Sequence, residues 1–122
     1  MATVRYMVND VEESVDWYVS KLGFEVKERF GSVIAIMGHG DLELILAGPK
    51  TSAGQPMSDG TVPRAGGGWA RFLHTVDDLE GLVTDLGEQG VTFRNDIVEN
   101  QGRKQIICED PSGNVIELFQ AS

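Results

Sequence analysis

The sequence predicts an α+β fold built from two βαβββ modules in tandem. Three observations carry that prediction: an internal repeat, an amphipathic helical stretch placed alike in each copy, and three strand-like stretches after each helix. Val8-Asn9-Asp10-Val11-Glu12-Glu13 returns in kind as Val76-Asp77-Asp78-Leu79-Glu80-Gly81. Such self-similarity marks a duplicated structural unit.

Each copy of the repeat follows a strand-like stretch, 3–8 and 70–76. Val11, Val15, Tyr18, Val19 and Leu22 then fall at helical spacing, as do Leu79, Leu82, Val83 and Leu86 in the second copy. Asn9 with Glu12 and Asp77 with Glu80 read as capping boxes at the helix starts. Gly23 and Gly90 read as left-handed stops. The strands expected next are 24–29, 32–37 and 42–47 in the first module, and 92–98, 104–109 and 115–120 in the second. Gly38-His39-Gly40-Asp41 and Asp110-Pro111-Ser112-Gly113-Asn114 supply turns between them. Glu43-Leu44 and Glu117-Leu118 take equivalent places on the two last strands. The chain thus reads as one domain over 1–122: module one at about 1–48, module two at about 69–122, and a Gly-, Pro- and Ser-rich stretch at about 49–68 between them. Loops that long are usually linkers or lids, and Met57 and Trp69 are the apolar contacts a lid would use.

A chain of 122 residues with 41% apolar content can bury one core without staples. No apolar run approaches the roughly 20 residues of a bilayer span, so no membrane partner is expected. The lone cysteine, Cys108, allows no internal disulfide and points to a cytoplasmic setting. A formal net charge of −9 repels phosphate backbones, which excludes nucleic acid as the expected partner.

The stretches VNDVEESVDWYVSKLGFEV, HTVDDLEGLVTDLGEQGVTF and EDPSGNVIELFQ resemble the vicinal-oxygen-chelate superfamily. That superfamily includes glyoxalase I, extradiol dioxygenases, fosfomycin-modifying enzymes and bleomycin-binding resistance proteins. The resemblance implies a cupped, mostly antiparallel sheet around a cavity, with helices on the convex face. It also implies modules that pair across chains, hence a homodimer. In the enzymes a divalent metal sits in the cavity, held from the first and last strands of each module. Counting five residues back from Val8 and Val76 puts Thr3 and Arg71 at the first-strand positions, and the Glu-Leu pairs put Glu43 and Glu117 at the last-strand ones.

This set departs from the enzyme pattern. Divalent metals take imidazole, thiolate or carboxylate donors. Threonine is a poor donor, and arginine stays protonated. Only Glu43 and Glu117 could serve a metal, so no cofactor is expected.

Strand alternation puts Thr3, Arg5 and Met7 on one face of the first strand, and Arg71, Leu73 and Thr75 on one face of its counterpart. The opposite faces, which include His74, pack on the helices. The expected ligand-binding set is therefore Thr3, Arg5, Met7, Glu43, Trp69, Arg71, Leu73, Glu117 and Phe119, with Arg71 in reach of Glu43 or Glu117 as the cation that replaces a metal. The function expected is metal-independent binding or sequestration of a small organic molecule by a homodimer, similar to the bleomycin-resistance members. Two alternatives stand beside it: a metal-dependent lyase, isomerase or dioxygenase, and a structural or regulatory dimer with a closed cavity. No catalytic residue is assigned. His39 in its Gly-rich turn reads as exposed, and Cys108 as a buried inert thiol.

Overall fold

A computed structural model describes all residues, Met1–Ser122. The chain divides into two compact units. One comprises Met1–Gly66 with Pro111–Asn114, the other Gly67–Asp110 with Val115–Ser122.

The first unit contains β1 (Ala2–Met7), α1 (Val11–Leu22), β2 (Glu25–Phe30), β3 (Ile34–His39) and β4 (Leu42–Ala47). Its sheet runs in the order β1-β4-β3-β2, with β1 and β4 parallel and the other pairs antiparallel. Helix α1 buries Val11, Ser14, Val15, Tyr18 and Leu22, one stripe at the spacing of a single helix face. That stripe covers the face of the sheet where Ala35, Met37, Leu44 and Leu46 are buried. The Tyr18 ring meets Phe24 edge-on at 5.4 Å and Trp17 at 4.9 Å.

The second unit repeats the plan. It contains β5 (Phe72–Thr75), α2 (Leu79–Glu88), β6 (Thr92–Phe93), β7 (Val98–Asn100), β8 (Arg103–Glu109) and β9 (Val115–Gln120). The order is β5-β9-β8-β6 with β7 also on β8, and β5 and β9 are the parallel pair. Phe72, Leu79, Leu86, Ile106, Cys108, Ile116 and Leu118 form its core, with His74 buried beside them. The α+β class and the duplicated βαβββ order are as the sequence predicts, with each module carrying its own sheet. Neither helix is long and apolar enough to cross a membrane.

Four local expectations are corrected. The helix caps are Asp10 and Asp78, one residue later than expected. Their carboxylates accept from the backbone N–H groups of Glu13 and Gly81, at 3.1 Å each. A carboxylate there also meets the positive end of the helix dipole. The expected strand 32–37 begins at Ile34, because Phe30 to Val33 form the turn.

The expected strand 92–98 is broken into β6 and β7. The Asn95 side chain accepts the Ile107 N–H at 2.9 Å, so a side chain stands where a strand carbonyl would. In β2, the corresponding edge strand, the register slips between Val26 and Glu28. This bulge turns Phe30 away from the helix face, and it is 54% exposed.

The stretch between the modules is held by its own hydrogen bonds. The buried Thr51 donates its hydroxyl to the Gly48 carbonyl at 2.8 Å ahead of a 3-10 turn at Ser52–Gly54. Gly66 N–H donates to Asn114 Oδ1 at 2.9 Å, and Asn114 Nδ2 donates to the Met7 carbonyl at 2.8 Å.

Candidate functional site

In each unit one face of the sheet packs on the helix and the other is open. Residues opposite one another in register share a face, which lists the open faces directly. In the first unit Thr3, Glu43 and Gly38 form one row across three strands, and Arg5, Ile45 and Ile36 the next. In the second, Leu73, Glu117 and Ile107 form one row, and Thr75, Phe119, Gln105 and Val98 the next. Leu73 and Val98 are 54% and 48% exposed, so this second face presents apolar groups around a buried glutamate.

Glu117 is the most buried charged group on either open face, at 6% exposure. Arg71, just ahead of β5, meets it. Arg71 Nε and Nη2 converge on Glu117 Oε1 at 2.9 and 2.8 Å. Arg71 Nη1 donates to the Trp69 carbonyl at 3.0 Å. The three donations hold the guanidinium plane, while Glu117 Oε2 accepts nothing within the chain. A charge this buried is tolerated only when paired and hydrogen-bonded.

Glu43 is treated differently. It accepts a hydrogen bond from the Thr3 hydroxyl at 3.3 Å, and its cation is Lys27, with Nζ 4.0 Å from Oε2. Lys27 reaches it across Gly38: a Cβ built on Gly38 would collide with the methylene chain of Lys27. Glycine here leaves a groove that a lysine stem fills. Arg5, expected in the ligand-binding set, lies opposite Ile45, one pleat further along, and is exposed without an ion-pair partner.

Of the remaining expected residues, Met7 and Phe119 are half-buried and Leu73 and Trp69 are exposed. Met7 lines a cleft of about 300 Å³ together with Pro49, Val62, Pro63 and Arg64. A larger cleft of about 430 Å³ lies beside Asn9, Glu12, Ser32 and Lys50, away from every expected site residue.

Sequence reasoning missed Lys27 and a second arginine, Arg94. Arg94 Nε donates to Glu109 Oε2 at 2.8 Å and Nη1 to the Gly68 carbonyl at 2.7 Å. Its Cζ lies 5.1 Å from the centre of the Trp69 ring.

The donor chemistry does not suit a divalent metal. One glutamate is engaged by a guanidinium and the other by an ammonium and a hydroxyl. No three His, Cys, Asp or Glu side chains come together anywhere in the chain. Cys108 lies on the helix side of its sheet, and burial pushes its thiol up to about 12, where the nucleophilic thiolate is absent at neutral pH. His39 is exposed, with its ring 5.3 Å from Phe24.

Three comparisons bear on these findings. The lactoylglutathione lyase of Agrobacterium tumefaciens has the same fold: its TM-score is 0.75 over 99% of this chain and 92% of that one, at 17% identity. TnmS3, an antibiotic-binding protein from Streptomyces sp. CB03234, has a TM-score of 0.73 over 98% and 93%, at 25% identity. An uncharacterised Bacillus subtilis protein, YraH, is 25% identical over 96% of this chain and 94% of its own length. The model of one family matches residues 1–118, and the chain therefore belongs to the Glyoxalase/Bleomycin resistance protein/Dioxygenase superfamily.

Proposed function

We propose that the protein binds and sequesters a small organic molecule without a metal, as a cytoplasmic homodimer. The observation that carries this reading is the engagement of both last-strand glutamates by cations of the chain itself, Arg71 on Glu117 and Lys27 on Glu43. A metal would have to displace a guanidinium held by three hydrogen bonds and would find no imidazole in exchange.

Each open face by itself has the make-up of a binding surface, apolar groups with a few placed polar ones. Leu73, Phe119, Met7 and Trp69 provide apolar contact. Thr3, Arg5, Glu43, Arg71 and Glu117 provide polar recognition, with Glu117 Oε2 left to accept from a ligand hydroxyl or amide. The likeness to TnmS3, an antibiotic-binding protein, supports a binder. The exposed Phe30, Val26 and Val98 on the edge strands support a dimer, because open edges and apolar surface favour covering by a second copy.

Native mass spectrometry tests both parts. The expected result is a dimer mass with no stoichiometric Zn, Fe, Mn or Ni, even after metal is added. Arg71→His is expected to gain affinity for divalent metal, because it supplies the missing first-strand imidazole beside Glu117. One tightly held metal per chain in the native protein would overturn the reading, and a monomer at micromolar concentration would remove the dimer from it.

A further inference from the structure

Trp69 is the largest exposed apolar side chain, at 68% exposure, and yet the backbone around it is fixed. Gly66, Gly67 and Gly68 have φ of +79°, +77° and +72°, three left-handed residues in succession that other side chains would strain. Two arginines then hold the two successive peptide carbonyls that flank the Trp69 Cα: Arg94 the Gly68 carbonyl, Arg71 the Trp69 carbonyl. Each arginine is anchored in turn by a glutamate, Glu109 and Glu117. The Arg94 guanidinium, at 19% side-chain exposure, lies over the indole with its Cζ 5.1 Å from the ring centre, while Trp69 as a whole stays 68% exposed.

A solvated indole needs none of this. Ordering a large side chain while leaving it in water forgoes its rotamer freedom and gains no burial. Such an arrangement is favourable when a second planar group completes the stack, because the ordering cost is then already met before binding.

We infer that Trp69 is a stacking platform for a planar aromatic ring that carries no negative charge, and that Arg94 is the residue that positions it. The inference rests on the binding reading above and names the ligand class at that site. The ring is not an anion for two reasons: both arginines are already neutralised by glutamates, and a chain of net charge −9 opposes negative charge.

The test uses 2-naphthol against its saturated counterpart, decahydro-2-naphthol, by calorimetry on the intact protein. The two differ in planarity and π-system and match in carbon skeleton. The native protein should prefer the aromatic compound by about tenfold, the range expected for a well-placed aromatic pair. Trp69→Leu should abolish that preference.

Arg94→Met should reduce that preference several-fold, and Arg94→Lys should restore it only in part, because the fork to Gly68 is lost. In a Trp17→Phe background Trp69 is the sole tryptophan. Its fluorescence anisotropy should fall in Arg94→Met, which a merely structural arginine remote from the indole would not produce.

Equal affinities for the two compounds, no binding of either, or a preference that survives Trp69→Leu would overturn the proposal. So would ligand-free Trp69 emission that shifts with protein concentration, since the partner on the indole would then be a second copy. None of these outcomes touches the metal test above, so failure of the stacking site and failure of the sequestration reading are distinguishable.

Discussion

Glu43 and Glu117 hold equivalent places in the two modules, yet each is neutralised from a different strand. Arg71 comes from the lead-in to the first strand of its module, whereas Lys27 comes from the second strand and crosses a glycine. Their burial differs as well: Arg71 and Glu117 side chains are 25% and 8% exposed, Lys27 and Glu43 41% and 27%. Solvent screens the second pair. Lys27→Met should therefore change stability by less than about 1 kcal/mol. Arg71→Met strands a buried carboxylate and should cost about 2–3 kcal/mol by urea denaturation, below the fully buried limit because Arg71 keeps some contact with water. The Arg71–Glu117 pair was legible because motif spacing locates both residues. Lys27 was not, because a strand pattern gives the face of a residue but neither the length of its reach nor the groove that one glycine opens. Arg94 escaped for a related reason: its partners, Gly68 and Glu109, lie in segments no motif connects.

At the scale of elements, the helices and the first and last strands of each module were readable because their apolar patterns run uninterrupted. The edge strands were not. In β2 a one-residue bulge reverses the face of everything after it, and in the stretch after α2 the Asn95 side chain takes over a strand hydrogen bond. The hairpin joining β7 to β8 retains a cost of its own. Gln101 and Gly102 form its two-residue loop, both left-handed at φ +54° and +82°. Tight hairpins favour that geometry, but a glutamine adopts it poorly, and asparagine is the residue usually found there. Gln101→Asn should raise unfolding stability by roughly 0.5–1 kcal/mol with no change in the sheet. A loss of stability would mean that the long 3.4 Å contact from Arg103 to Gln101 matters more than the backbone.

At the scale of the whole molecule, stability also depends on the buried thiol. Cys108 titrates near 9.0 when exposed and at about 12 in the fold, raised first by burial and then by the charge of Asp110. The unfolded chain therefore loses this proton at lower pH than the folded one. The contribution is fully present below about pH 9 and is lost as pH rises through about pH 12. Denaturation midpoints of the native protein should fall faster than those of Cys108→Ala across that window, and parallel curves would refute the assignment.

The duplicated order of strands was evident from the repeat alone, but the physical partition of the chain was not. The Pro111–Asn114 turn belongs to the first unit although the strands on either side of it belong to the second. Its Ser112 hydroxyl accepts the Asn9 N–H at 2.9 Å, and Asn114 bonds both Met7 and Gly66. The halves of the sequence repeat and the compact units of the fold do not coincide. A gene cut at the glycine run would encode a front fragment without the turn that terminates its own first strand, and a rear fragment carrying four residues that belong elsewhere. A chain that reads as two copies is thereby indivisible at the glycine run. Exchange of one half with a relative's would have to carry Pro111–Asn114 with the front, as a graft rather than a splice.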